Sequence, residues 1–335
     1  MSELPFAYGG PPLSGRMRAT AADFEVDEVL GFAADGFGEH AMLRIEKRDA
    51  NTEWVAQRLA EVAGVAPMSV GYSGLKDRHA LTRQTYTVHL PGKSGPDWMS
   101  VDIEGVRILE VARHSRKLKR GVHRSNRFLI CLRDVVGSKQ EAEVRMREIS
   151  AQGTPNYFGA QRFGRDGDNL RSAQALFSGA RMSRSQRGFA LSAARSHLFN
   201  EVLARRVAAG SWNTALEGEV FMLAGTHSIF GPQALDAGLL DRLECGDIDP
   251  TGPLWGRGVL RSGSEVAAIE REVAAAESVY SAGLAATDLS HERRSLRLAV
   301  SDLAHHWADD GSLAVGFSLP SGSFATAVIR ELCAT

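Results

Sequence analysis

The sequence predicts an α+β fold, and three observations predict it. Strand and helix patterns mix over residues 23–149 without regular βαβ alternation. The chain is punctuated at Gly153-Thr154-Pro155-Asn156, beyond which it is richer in Ala, Arg and helical pattern. A strand pattern then returns at Ala314. At roughly 100–200 residues per domain, 335 residues make two domains or one large one. A composition that is 44% hydrophobic and 24% charged can bury a core, which excludes disordered, collagen-like and low-complexity classes.

Each element has a local reason. Apolar and acidic residues alternate from Asp23 to Asp27, with Glu28 following, the period of a strand with one wet face. The turn Asp35-Gly36-Phe37-Gly38 and the strand His40 to Lys47 follow, so a hairpin is expected. Asn51-Thr52-Glu53 opens a helix with Trp54, Val55, Leu59, Val62 and Ala63 at helical spacing, and Gly64 ends it. Ser69 to Gln84 is polar and glycine-punctuated. Thr85–Leu90, Val106–Val111 and Arg127–Leu132 read as strands, Pro91–Pro96 as a loop, and Glu141–Ile149 as a short helix. Farther on, Ser192–Ala209 and Glu265–Ala282 read as helices and Gly246–Gly258 as a long loop. Ala314–Leu319 is a strand, Pro320–Ser323 a turn and Phe324–Leu332 a helix. No internal repeat is evident.

Lys+Arg number 39 against 40 Asp+Glu, so the global charge is silent about partners and a nucleic-acid signal has to be local. Cys131, Cys245 and Cys333 give neither a disulfide framework nor metal spacing, which suits a reducing cytoplasm. No run of about 18 apolar residues spans a membrane. Met1-Ser2-Glu3-Leu4-Pro5 lacks a basic region followed by an apolar one, so no secretory signal is expected.

One signal is local. Seven cations (Arg113, Arg116, Lys117, Lys119, Arg120, Arg124 and Arg127) fall in one run with His114 and His123, and no acid lies between Val111 and Arg133. Such imbalance reads as a phosphate-binding surface, or else as a solvated basic loop. A second stretch, Gly71 to Gln84, sets Asp77 between Lys76 and Arg78 in a Gly-rich turn. Adjacent cations favour the charged carboxylate, which can be a nucleophile, a base or half of a salt bridge. A third, Pro155 to Gly164, mixes three aromatics with Gln161 and Arg162, residues that can stack unpaired bases or pack a domain junction. HExxH, GxSxG, Walker and GxGxxG motifs are absent, His and Cys do not cluster at zinc spacing, and Asp166-Gly167-Asp168-Asn169 is too short for a calcium loop.

Several of these stretches together resemble the TruD-type tRNA pseudouridine synthases. Gly74-Leu75-Lys76-Asp77-Arg78-His79-Ala80 is similar to that family's catalytic motif. Asp23-Phe24-Glu25-Val26 with Glu28, Asn126-Arg127-Phe128, and Pro155 to Gly164 resemble further motifs. So do Leu191 to Asn200 and Leu319-Pro320 with Gly322 to Thr326. They stand in family order from about residue 18 to 333. The resemblance implies a discontinuous catalytic domain, residues 1–151 plus 300–335, with a pseudouridine-synthase mixed or antiparallel sheet. A family-specific α+β domain would be inserted at 152–299.

The implied activity is isomerisation of uridine 13 in the D-arm of tRNA to pseudouridine, with no metal or redox cofactor. The implied catalytic residue is Asp77. Arg18 would support it, standing where a relative carries Lys. Phe24, Asn126, Phe128 and Phe324 would contact substrate, Phe128 by stacking on the target base. Arg113, Arg116, Lys117, Lys119, Arg120 and Arg124 would hold the RNA backbone. Asp77 could attack C1′ or C6 of the nucleotide, or remove the 2′ proton to give a glycal; the sequence does not choose. A cytoplasmic monomer that binds tRNA without an obligate protein partner is expected. Three rivals stand beside this reading: a non-catalytic RNA-binding or chaperone protein on the same fold, an enzyme of a phosphorylated metabolite, and the same chemistry on another RNA. Asp77 weighs against the first, because a carboxylate in an RNA cleft repels phosphate.

Overall fold

The computed structural model describes residues 4–335; the opening Met1–Glu3, read above for a leader, lies outside them. Along the chain, β1 (Leu13–Met17), β2 (Phe24–Val29) and β3 (His40–Arg48) precede α1 (Thr52–Ala63). The Asn51 side chain caps α1 by accepting from the Glu53 and Trp54 amides, and Gly64 closes it in the left-handed conformation. Next come β4 (Val70–Tyr72), β5 (Leu81–His89), β6 (Val106–His114), β7 (Ser125–Gly137) and α2 (Lys139–Gln152). The middle of the chain holds β8 (Thr154–Pro155), α3 (Asp168–Phe177), α4 (Arg184–Ala208), β9 (Phe221–Leu223), β10 (Ile229–Phe230), α5 (Ala237–Glu244) and β11 (Ile248–Leu254). The rest is α6 (Ser264–Ala276), α7 (Ser278–Ala285), β12 (Glu292–Ser295), β13 (Arg297–Leu298), β14 (Ser301–Trp307), β15 (Leu313–Pro320) and α8 (Ala325–Leu332). Among the described residues no helix is long and apolar enough to cross a membrane.

The elements group into two units. The first comprises Leu13–Ser138 and Val300–Ser323. Its sheet runs β14-β15-β7-β2-β5-β3-β6, with β1 on β7 and β4 on β5. The β2–β5 pair is parallel and its other pairings are antiparallel, so the sheet is mixed. On β3, Ala41, Leu43 and Ile45 point inward and pack with Val55 and Leu59 of α1 and with Tyr86 and Val88 of β5. The hairpin expected between β2 and β3 does not form. β5 lies between them, pairing with β2 on one side and β3 on the other. β5 is buried along most of its length, which suits a central strand, and the link from Val29 to His40 is far longer than a tight hairpin turn.

The second unit comprises Lys139–Ala299 with residues 4–12 and Phe324–Ala334. It thus includes α2 and α8. Its core is α4, where Ala190, Ala194, Leu198 and Val202 meet Tyr157, Phe158 and Phe163. Helix α4 begins eight residues before the expected Ser192, because Ser183 and Gln186 form a capping box there. The long helix expected over Glu265–Ala282 breaks at Glu277, whose ψ of 43° is not helical, giving α6 and α7.

The loop expected at Gly246–Gly258 contains strand β11. Ile248 to Pro250 pair with β9, whereas Thr251 to Leu254 pair with β12. Each half has a ladder partner on one side only, which is how Pro250 and Pro253 fit a strand despite lacking an N–H.

Candidate active site

Three adjacent strands of the first unit build the site floor. Phe24, Val26 and Glu28 face inward on β2, and Asn126, Phe128 and Ile130 do so on β7. The ladder sets Val26 opposite Phe128 and Phe128 opposite Phe317 of β15. Phe128 therefore stacks on Phe317 with centroids 5.5 Å apart and meets Phe24 edge-on at 6.2 Å. Directly after β1, Arg18 takes a positive φ of 60°. Its Nη2 donates to Asp77 Oδ2 at 2.9 Å, and its guanidinium carbon lies 4.0 Å from the Phe24 ring centroid. Arg18, Phe24, Asp77 and Phe128 thus form one constellation from residues far apart in sequence.

The cations flanking Asp77 have other partners. Lys76 turns inward and pairs with buried Glu28 at 2.7 Å, while Arg78 is exposed. The salt bridge that adjacency suggested is instead made by Arg18. Side chains from α1 and β5 hold the 73–80 loop. Thr52 Oγ1 accepts from the Lys76 amide at 3.0 Å, and Gln84 Nε2 donates to the Gly74 carbonyl at 3.2 Å. Thr52 and Gln84 are themselves bonded at 3.0 Å, and Glu28 Oε1 accepts from the Thr85 amide at 3.1 Å.

Lys47 is fully buried, and its Nζ donates to the carbonyls of Ala50 and Asp77. Burial pulls the Lys47 ammonium down to about 8, opposed by the nearby Asp77 charge. No motif marked Lys47. The signal was its strand position, because Ala41, Leu43, Ile45 and Lys47 share the inward face of β3.

Asn126 is buried beside the aromatic pair. Its Nδ2 lies 3.4 Å from His123 Nε2, and its Oδ1 is buried without a hydrogen-bond partner. His123 also meets Ser321 Oγ at 3.0 Å. Burial, helped by the Lys76 charge, holds the His123 imidazole below its ordinary value. Phe324 belongs to the second unit, edge-on to Phe158 at 6.0 Å and 5.6 Å from the Arg162 guanidinium.

The basic run is the end of β6, a loop and the start of β7. Leu118, His114 and His123 anchor it inside. Arg113 donates to the Lys93 and Ser94 carbonyls, Lys117 to the Met68 carbonyl, and Arg120 to Glu53 and Tyr72. Arg116, Lys119 and Arg124 are exposed and pair with no acid among the described residues. The aromatics of Pro155 to Gly164 are not stacking platforms: Tyr157, Phe158 and Phe163 are buried in the second unit's core. Among the described residues no three His, Cys, Asp or Glu converge as metal ligands.

Chemically, the constellation offers a part-exposed carboxylate, paired with one guanidinium, beside an aromatic face. That suits attack on, or proton removal from, a substrate that carries a flat polar ring. The sequence profile described as tRNA pseudouridine synthase D (TruD) matches residues 3–179 and 171–332. The protein named tRNA pseudouridine synthase D in Xanthomonas campestris is 46% identical over 344 residues, covering 98% of this chain and 94% of its own. Its namesake in Chromohalobacter salexigens is 48% identical over 331 residues, covering 98% and 95%. A crystal structure of a Methanosarcina mazei protein assigned to the same name superposes with a TM-score of 0.76 at 20% identity, covering 98% of this chain and 95% of that one. A profile matched over nearly the whole chain, close relatives of matching length and a shared α+β fold agree: the chain belongs to the tRNA pseudouridine synthase D (TruD) family.

Proposed function

We propose that this protein isomerises uridine to pseudouridine at position 13 in the D-arm of tRNA, with Asp77 as the catalytic residue. The observation that carries the reading is the Arg18–Asp77 ion pair at 2.9 Å, set over Phe24 and beside Phe128. The N1–C1′ bond breaks, the uracil turns, and C5 bonds to C1′, so no atom is gained or lost. The uridine must first leave its stack, at a cost of a few kcal/mol. Phe128, only 9% exposed and packed on Phe24 and Phe317, turns what remains open of its ring to the flipped base, and Asn126 Oδ1 offers an acceptor next to it. Phe24 backs Arg18, and Phe324 contacts substrate from its own unit. The cations from Arg113 to Arg124 hold phosphates without reading sequence.

On the same reading residues 1–151 plus 300–335 form the catalytic domain and 152–299 the inserted one. What supports that division is the return of the first unit at Val300, whereas residues 4–12, 139–151 and 324–334, placed in the catalytic domain on this reading, group with the second unit. The enzyme works in the cytoplasm on tRNA, as a monomer, without a metal or redox cofactor or an obligate protein partner. The test is direct. Purified protein is incubated with unmodified tRNA transcripts, and pseudouridine is mapped by carbodiimide labelling and primer extension. A stop reporting position 13 is expected with wild type and not with Asp77→Asn. Tight tRNA binding with no pseudouridine anywhere would instead favour a non-catalytic RNA-binding protein.

A further inference from the structure

One surface of the second unit has no part in the catalytic reading. From Asn169 to Asn200 the sequence carries five arginines (Arg171, Arg181, Arg184, Arg187 and Arg195) and no Asp or Glu. Arg171 and Arg195 are tied to Asp168 and Glu292. Arg181, Arg184 and Arg187 are exposed and pair with no acid among the described residues. They lead into the first turns of α4, which stay exposed as far as Phe189, itself 58% exposed. A large aromatic bare to solvent beside unpaired arginines is unlike the rest of α4, whose apolar residues fill the core.

A shallow, largely open depression lies on this face, lined by Arg162, Arg184, Ser185, Gly188, Phe189 and Ser192. The α4 members recur at helical spacing, so one stripe of the helix forms the floor. Arg162 borders it, its Nη1 donating to Ser192 Oγ at 2.9 Å. Gly188 is telling. Nothing lies within 4 Å of where its Cβ would stand, and its backbone needs no positive φ, so neither packing nor conformation demands glycine. A glycine inside a helix is less stable than alanine. Its position on the floor of the depression gives it a use, since a bare backbone admits a flat ring closely.

We propose that this face is an RNA-binding subsite for an unpaired nucleotide, its base stacked on Phe189 over Gly188 and its flanking phosphates held by Arg184 and Arg187. This rests on the reading that the substrate is a tRNA. The acid-free arginine window complements a polyanion, and an exposed aromatic among arginines suits an unpaired base, whose ring face is open to stacking.

The test uses the full chain and an unmodified tRNA transcript carrying 4-thiouridine in place of uridine. Near-ultraviolet crosslinking followed by trypsin should attach RNA to the peptide Gly188–Arg195. Phe189→Ala and the double variant Arg184→Ala/Arg187→Ala should each raise the Kd for the transcript about tenfold, with KM rising in step, and the double variant should also flatten the salt dependence. Phe189→Tyr should restore binding. Gly188→Ala should raise the melting temperature yet weaken binding, a split that a merely structural role would not produce. Wild-type Kd and salt slope in both the Phe189→Ala and double-arginine variants, with no crosslink in that peptide, would overturn the subsite while leaving the catalytic reading intact. A wild-type protein that neither binds nor isomerises the transcript would overturn both.

Discussion

Lys47 Nζ donates a 2.8 Å hydrogen bond to the backbone carbonyl of Asp77, from a side chain fully shielded from solvent. The residue proposed to act on substrate is thus gripped from below through its main chain and from the side by Arg18. Lys47→Met removes the lower grip. The expected result is a loss in kcat of roughly tenfold to a hundredfold with little change in KM, since an interaction with a charged donor contributes roughly 1.5–3 kcal/mol. Single-turnover rates at saturating tRNA would show it.

The same lysine makes a pH prediction. Its folded value of about 8 lies below the ordinary 10.5. Below pH 8 both states are protonated and the buried charge weighs against folding. Between 8 and 10.5 the unfolded chain holds more protons, so this residue's contribution to stability rises with pH, by on the order of 3 kcal/mol across the window. Urea unfolding of wild type and Lys47→Met at pH 7, 8, 9 and 10 should show the difference moving in favour of wild type. A difference flat with pH would mean that Lys47 titrates like an exposed lysine. Asp77→Asn should lower the Lys47 titration further, because the Asp77 charge opposes the effect of burial.

Arg18 both pairs with Asp77 and lies on Phe24. Arg18→Lys keeps the charge and loses the planar contact, so turnover should fall about tenfold; Arg18→Met should cost roughly a hundredfold. Equal losses in the two variants would show that charge plays no part.

Within the basic run the cations should not be equivalent. Among the described residues Lys119 and Arg124 have no ion pair, whereas Lys117 donates to Met68 and Arg120 to Glu53. Lys119→Ala/Arg124→Ala should weaken tRNA binding and reduce the salt slope by about one per lost phosphate contact. Lys117→Ala and Arg120→Ala should do less. The reverse ranking would put the RNA on another face.

His123 is held below its ordinary value by burial. The unfolded chain therefore takes up a proton near pH 6.5 that the folded one refuses, and stability falls as pH drops below 6.5. His123→Gln should lack that part of the acid-side slope in denaturant titrations.

Much of this architecture could be read in the residues. The Asn51 cap, the Gly64 stop and the alternation from Phe24 carry their structures locally. The failures are where a distant partner decides. Whether β2 pairs with β3 depends on β5, and the strand character of Pro250 and Pro253 depends on β9 and β12 each covering half of β11. The site divides in the same way. Asp77 stood out through its motif, and Arg18 through the family resemblance. Glu28 and Lys47 hold the loop from inward positions on strands, where a charge among apolar neighbours is visible in the alternation but its partner is not. Neighbouring cations misled about Asp77, because Lys76 had a buried acid of its own to neutralise.

Phe317 stacks on Phe128, yet the chain between them contains the bulk of the second unit. Closing so long a loop is thermodynamically mild, since each doubling of length adds only about 0.6 kcal/mol. The timing is less forgiving. A ribosome adding about 5–20 residues per second delivers Phe317 roughly 10–40 s after Phe128. Through that interval the edge of β7 that will receive β15 has no strand to bond, and the aromatic floor lacks its third ring. The nascent chain thus carries an open, adhesive sheet edge until β15 has been made, and a chain cut short before Leu313 never closes it.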